Sequence, residues 1–462
     1  MHNTYRKPRK IVVKTKNLFL AIPKNIFGGI PREVRIIALS LFIYVFWRWL
    51  GWETFFSLYI DKIVDNVFWI SIVSAILSLC KMFLSISAGK ESDNTDIRSV
   101  ILLNKIVYAF VGILYFLAWF TGYLSLLILA VLMNGIASAW MFTSYQSFIR
   151  KNTKNWERGK SFGLYYVAIN ISVMLGALIA AVLIKYIDIH FLYLFIPVFT
   201  VLSMLIDKKL PQISKSERKK TFWNQSFIQK YMKNVFSFRP IKKVFSTLQG
   251  YSSRMYYALW FEMLFSMLNY IGFIFVPIVA IANNLSLSQI AIVFAVMRFP
   301  YIIDLFINNF SASKSKRKVL FLILLFMSLL YLLLGYHESF NNILIITFGI
   351  SLGLALMRPI ISAYVSDCTN PKEEWTISWI AEFVGKAGEI VWVLLFGVLS
   401  LFFGVQWSFI VVGVIVFIVS VLGLFQRYKV FWKRKRKRMW FFSAVPSKNI
   451  HEPFPMTWAT QV

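Results

Sequence analysis

Histidine and cysteine are almost missing from this 462-residue chain, which holds four of the first and two of the second. Two cysteines, Cys80 and Cys368, cannot build a disulfide framework. The histidines, His2, His190, His337 and His451, stand far apart and lack the spacing that metal ligands need. Neither metal nor cofactor is therefore expected. Acids are scarce too, 20 against 50 Lys and Arg, which leaves a formal net charge of +30. Charged residues make up only 15% of the chain and hydrophobic ones 58%, which excludes a soluble globular composition. The Gly-rich loop ending in Lys-Ser or Lys-Thr that cradles ATP phosphates is absent, so no ATP-driven step is expected within the chain. Residues 1–35 are basic and broken by Pro8, Pro23 and Pro31, unlike a cleavable signal peptide.

What the chain has instead is apolar runs of about 20 residues, the length a helix needs to cross roughly 30 Å of hydrocarbon. Six precede a basic stretch over 207–254 and six follow it. The first six are Ile36–Ile60, Val67–Ala88, Ser99–Trp119, Leu124–Phe148, Ser161–Tyr186 and Ile187–Ile206. The second six are Met255–Ile281, Ser288–Phe310, Val319–Tyr336, Ile343–Val365, Thr376–Phe403 and Trp407–Phe425. Each run is about twice a barrel strand and lacks period-two alternation, so the spans are helices. A weak repeat at an offset of about 218 residues pairs Asn66 with Asn284, Gly135 with Gly353, Asn152 with Asn370 and Lys154 with Lys372. The expected fold is all-α, a polytopic membrane protein with 12 transmembrane helices in two pseudo-symmetric six-helix bundles. The units are a basic N-terminal segment (1–35), one half (36–206), a basic linker (207–254), a second half (255–425) and a basic tail (426–462).

Placement of Lys and Arg sets the orientation. With the N terminus inside, the inner segments carry 42 of them and the outer loops two, Lys62 and Lys185. Both termini and the linker are therefore expected in the cytoplasm, and the chain in the plasma membrane. The positive charge is topological, and no nucleic-acid partner is expected. In the linker, Trp223, Phe227, Tyr231, Val235 and Phe238 recur at helical spacing, which fits a helix lying in the inner interface and equally an ordinary soluble linker helix. The tail run Lys433–Arg438, followed by Trp440, Phe441 and Phe442, suits the anionic lipid of the inner leaflet. The chain is expected to act as a monomer.

Between spans 2 and 3 the sequence reads Gly89-Lys90-Glu91-Ser92-Asp93-Asn94-Thr95-Asp96-Ile97-Arg98. This resembles the signature loop of the major facilitator superfamily, with Gly89, Asp93 and Arg98 fitting and Asn94, Asp96 and Ile97 departing from it. The resemblance implies that Asp93 ties the inner helix ends together and steadies the outward-facing state. Glu157-Arg158-Gly159 resembles the turn that opens span 5 in that family. Span 5 keeps Gly176 of an antiporter motif, with Ala177 where proline is usual; small residues there also simply permit close packing. The family's plan is two halves rocking about a cavity near mid-membrane, which opens to each side in turn.

Charges within the spans are the candidate site, because a lone ionised group at a helix centre costs about 2.5–3.5 kcal/mol and must pair or meet water. They are Arg48 and Glu53, Lys81, Glu262, Arg298 and Asp304, Arg358, and Glu382, Lys386 and Glu389. Trp52 stands beside Glu53 in an aromatic-rich first span and is counted with the substrate site. Arg48 and Glu53, five residues apart, fall about 140° apart on an α-helix and are not expected to pair. Lys81 and Arg358 lie nearer the inner face, where they can snorkel. Glu382, Lys386 and Glu389 share one face at i, i+4 and i+7. One glutamate is expected to pair with Lys386 and the other to exchange a proton, with Glu389, about 10 Å deeper at 1.5 Å per residue, preferred as exchanger.

These features read as a secondary transporter of a small molecule with the proton as coupling ion, exporting an amphipathic solute. Uptake of a nutrient or osmolyte by the same architecture is the near alternative. A transporter-derived scaffold or sensor is the second. A membrane enzyme is not expected, since no nucleophile, base and metal constellation is visible.

Overall fold

The computed structural model describes residues 30–64, 66–94, 97–153, 155–210, 251–307, 316–368 and 374–425. The linker helix read over 223–238, the basic tail and most of the N-terminal segment lie outside those residues. All regular structure among the described residues is helical, as apolar spans require when no water is present to satisfy the backbone. In chain order the helices are α1 (Arg32–Arg48), α2 (Phe56–Val64), α3 (Val67–Asn94), α4 (Ile97–Thr121), α5 (Leu124–Lys151) and α6 (Asn155–Leu183). They continue as α7 (Ile189–Asp207), α8 (Ser253–Ala282), α9 (Leu287–Ile307), α10 (Lys316–Tyr336), α11 (Phe340–Asp367) and α12 (Glu374–Phe425).

Twelve crossings result, though not one per helix. The first span is broken, with a π-turn over Trp49–Glu53 separating α1 from α2. The Thr54 hydroxyl donates to the Trp49 carbonyl at that break. The last two spans form the continuous run α12, turned at Gly404, whose φ of 78° and ψ of 164° belong to a region essentially only glycine occupies. The signature-like stretch is also shorter than a loop, since α3 continues helically through Gly89 and Asp93 to Asn94. Pro359 does not end its helix, and α11 runs through it.

In the first half α1 packs on α6 and α7, α4 on α5 and α7, and α3 on α5. In the second, α8 and α10 each pack on α11 and α12. The halves meet where α3 lies against the first crossing of α12 and where α6 lies against α9. These are spans 2 with 11 and 5 with 8, which a pseudo-twofold axis between halves exchanges. Gly176 matters to this packing. A Cβ there would sit 2.6 Å from the Phe46 carbonyl oxygen, so the small residue lets α6 lie on the backbone of span 1.

The outer surface is apolar, the reverse of a soluble protein. On α10, Leu322, Phe326, Leu329 and Leu333 are all exposed along one stripe, a face suited to lipid. Most aromatics of the first span point inward. Tyr59 is buried, stacks on Trp119 with ring centroids 5.1 Å apart, and donates to the Tyr115 carbonyl at 2.5 Å. The rings of the first span are thus largely occupied in holding helices together.

Candidate functional site

Three pairs account for much of the charge inside the helices. Lys386 Nζ lies 2.6 Å from Glu389 Oε1 one turn along α12. Glu389 Oε2 accepts a hydrogen bond of 2.8 Å from Ser78 Oγ of α3, which joins the two halves. Arg48 and Glu53, both buried, also form an ion pair, contrary to the expectation from α-helical geometry. The intervening π-turn places i and i+5 in register, and Arg48 lies 5.1 Å from the Tyr108 ring centroid.

The third pair is not apparent from the sequence pattern. Lys105 Nζ is 2.5 Å from Asp207 Oδ2, with both side chains fully buried. Lys105 also donates to Ser40 Oγ at 2.7 Å, and the Tyr145 hydroxyl donates to Asp207 at 3.3 Å. By pattern Asp207 belongs to the linker, yet its carboxylate serves the first half. The usable signal is a lysine well inside span 3, which requires an acid of its own.

Other charges stay apart. Glu262 on α8, Arg358 on α11 and Glu382 on α12 form no ion pair with any described residue. Arg358 and Glu382 are both solvent-exposed among the described residues. The Arg358 guanidinium lies 5.4 Å from the Phe265 ring centroid, and Glu262 and Tyr166 are within its electrostatic reach. Glu262 packs beside Gly385, its Cγ 3.7 Å from where a Cβ would stand. Lys386, Arg358, Glu389 and Lys81 surround Glu382 electrostatically. Lys81, half-buried on α3, has Lys386, Arg48, Glu53 and Glu389 within electrostatic reach.

Arg298 of α9 reaches span 1 instead. Its guanidinium is 4.9 Å from the Trp49 ring centroid and 5.6 Å from that of Tyr301, and its buried Nε has no hydrogen-bond partner among the described residues. The backbones at Trp52, Gly89, Asp93 and Asp304 are helical, and their side chains lie outside what the structure describes. Arg98 is placed, and its Nη1 donates to the Leu210 carbonyl at 3.2 Å. This ties the start of α4 to the start of the linker.

Glu262 stands nine residues into α8, about 14 Å from the helix end at 1.5 Å per residue. Arg358 and Glu382 stand at similar depth, measured from the same face, where the linker begins and ends. Beyond that level the halves are bonded to each other. Tyr270 donates to the Ser74 carbonyl at 3.0 Å and Ser288 to the Ala181 carbonyl at 2.7 Å, both toward the far face. Toward the linker face the halves also touch, where Met82 of α3 packs in one buried cluster with Met255 and Leu259 of α8 and Ile380 of α12.

Comparison with known proteins agrees with this architecture. The family profile described as Major Facilitator Superfamily matches residues 37–297 and again 258–458. No curated protein sequence matches the chain. Among solved structures, a nucleoside transporter, NupG, aligns with a TM-score of 0.67 at 14% identity over 86% of this chain and 100% of that one. A POT family transporter in complex with 5-aminolevulinic acid aligns with a TM-score of 0.68 at 14% identity, covering 87% and 97%. The human organic anion transporter MFSD10 aligns with a TM-score of 0.58 at 15% identity, covering 85% and 100%. At such identities the likeness is one of fold.

Proposed function

The chain belongs to the Major Facilitator Superfamily, a multi-pass integral membrane transporter by family and fold, and on that premise we propose that it couples solute movement to protons by alternating access. One observation carries this reading. Glu382 is an exposed carboxylate without an ion-pair partner among the described residues, within electrostatic reach of Lys386, Arg358, Glu389 and Lys81. A carboxylate so placed can take up a proton, and it must be neutral or matched whenever it is removed from water. Glu389, preferred from the sequence as the exchanger, is buried, paired with Lys386 and bonded to Ser78. The roles are therefore reassigned: Glu389 is the fixed member and Glu382 the exchanging one.

Alternation follows from the contacts between halves. The Ser288–Ala181 and Tyr270–Ser74 bonds join the halves toward the far face, and alternation requires them to break in one of its states. With 42 Lys and Arg on the linker side and two on the other, we take the linker face as cytoplasmic and the membrane as the plasma membrane. Anionic lipid beside the basic segments and a monomeric state belong to the same proposal.

The test is flux in proteoliposomes loaded with a pH-sensitive dye, using pools of small solutes applied on either side of an imposed pH gradient. The native chain moves protons when its solute is added, and the side of addition gives the direction. Glu382→Gln keeps solute exchange and loses proton-driven accumulation. Undiminished proton-driven flux in that variant would refute the assignment. Solute flux wholly insensitive to the gradient in the native chain would refute coupling.

A further inference from the structure

Around Arg298 the open hydrogen-bonding capacity is all of one kind. An arginine carries five N–H donors, and Arg298 makes no ion pair or hydrogen bond with any described residue, its Nε being buried. Its guanidinium packs on rings instead, 4.9 Å from the Trp49 centroid and 5.6 Å from that of Tyr301. The Tyr301 hydroxyl donates to Asn269 Oδ1 at 3.2 Å, which leaves the Asn269 amide nitrogen as a further donor with no partner among the described residues. Glu53, in the same π-turn as Trp49, is already paired with Arg48. Asp304 stands six residues beyond Arg298, about 120° around α9, and so off its face.

The apolar surroundings are equally defined. Trp49 lies 5.4 Å from Phe273 and 6.1 Å from Phe294, and those two rings are 5.8 Å apart. Phe273 is one turn along α8 from Asn269, so the rings adjoin the donors. Arg298, Tyr301, Asn269 and Phe273 are half-buried, whereas α8 is buried on either side, over 264–268 and 274–280. The accessible surface along that part of α8 is therefore at this cluster. Arg298 stands about 16 Å from the start of α9, near the middle of a ~30 Å hydrocarbon layer. Trp49 belongs to the first half and the other five residues to the second, so the cluster lies between the halves. We propose that it binds the anionic group of a small organic acid, with Arg298 and Asn269 donating to its oxygens and the aromatic rings packing against its apolar body.

This names the solute class for the transporter reading and rests on it. A cationic solute would meet an uncompensated positive charge. A neutral one offers acceptors but leaves the guanidinium unmatched whenever the site is shut off from water. A bare inorganic anion matches the charge and makes no use of the rings. A carboxylate or sulfonate accepts two parallel bonds from the guanidinium fork, the strongest arrangement open to that group. Because Trp49 travels with one half and Arg298 with the other, a solute that touches both spans the moving interface.

The experiment is thermal unfolding of the full chain in detergent with a defined panel of aryl, indolyl and branched aliphatic carboxylates and sulfonates. Each is run beside its primary amide and the matching amine, with chloride, sulfate and phosphate as inorganic anions. The expected result is that at least one organic anion raises the melting temperature, and that its amide and amine bind at least tenfold more weakly. In Arg298→Gln the acid loses its advantage over the amide, and in Arg298→Lys it keeps part of it. Since Arg298 bonds to no described residue, Arg298→Gln without ligand should fold and melt close to the native chain. The proposal is overturned if no organic anion in the panel stabilises the native chain, or if the amide, the amine or an inorganic anion does so equally well. It is also overturned if Arg298→Gln still prefers the acid, or if both Arg298 variants fail to fold, which would make the charge structural. Failure of the premise looks different. Organic-anion binding without flux in proteoliposomes would sink the transporter reading and leave the site. Flux of a neutral or cationic solute with no anion binding would do the reverse.

Discussion

Replacing Lys105 by methionine would strand Asp207 in a fully buried site, with the Tyr145 hydroxyl left as a hydrogen-bond donor to it. Removing one partner of a buried pair costs about 3–5 kcal/mol, most of it from the uncompensated charge left behind. Lys105 is bonded to Asp207 at 2.5 Å and to Ser40 at 2.7 Å, with no exposed surface to relieve the loss, so the upper part of that range applies. Asp207→Leu alone should cost a similar amount, since it leaves the lysine unmatched. The double variant replaces the ion pair with apolar volume and should return to within about 1–2 kcal/mol of the native chain, as buried pairs exchanged for apolar groups often do. Reversible unfolding in mixed micelles, followed by far-UV circular dichroism, gives the four free energies of this cycle. A coupling near zero, with the double variant as unstable as the sum of the singles, would show that the two charges do not stabilise each other and refute the reasoning.

Gly404→Ala should cost about 1–3 kcal/mol, because its φ of 78° and ψ of 164° are strained for any residue with a Cβ; unfolding in micelles checks it. Gly176→Val should cost about 1–3 kcal/mol and loosen α6 from span 1, since even its Cβ would lie 2.6 Å from the Phe46 oxygen; a Gly176→Ala variant should be milder in the same assay. Single cysteines at Tyr186 and Ser339, in a chain lacking Cys80 and Cys368, should react with an impermeant thiol reagent from outside intact cells, whereas one at Ser216 should not; the reverse pattern would invert the orientation.

The fold was legible because the bilayer leaves so few solutions. A run of about 20 apolar residues admits little but a helix, and the count of such runs needs no knowledge of packing. Local geometry was less visible. The Arg48–Glu53 pair depends on a π-turn, and nothing in a five-residue spacing distinguishes a π-turn from the α-helix that would separate the two. Asp207 was hidden by its neighbours, because Lys208 and Lys209 make the segment read as linker while the carboxylate itself turns into the half. On α12 the shared face of Glu382, Lys386 and Glu389 was readable from periodicity, but the choice of partner was not. Ser78, 311 positions away, fixes Glu389, and a long-range bond of that kind leaves no local trace.

The most direct test of alternating access is a pair of pulsed dipolar distance measurements between spin labels across the two faces. One pair, at Lys208 and Arg254, spans the linker face, and the other, at Tyr186 and Ser339, spans the far face. Between neutral and acid pH in liposomes, proton-coupled alternation predicts opposite shifts, the linker-face distance shortening as the far-face distance lengthens. Distances that stay fixed at both faces, or that lengthen together, would contradict it.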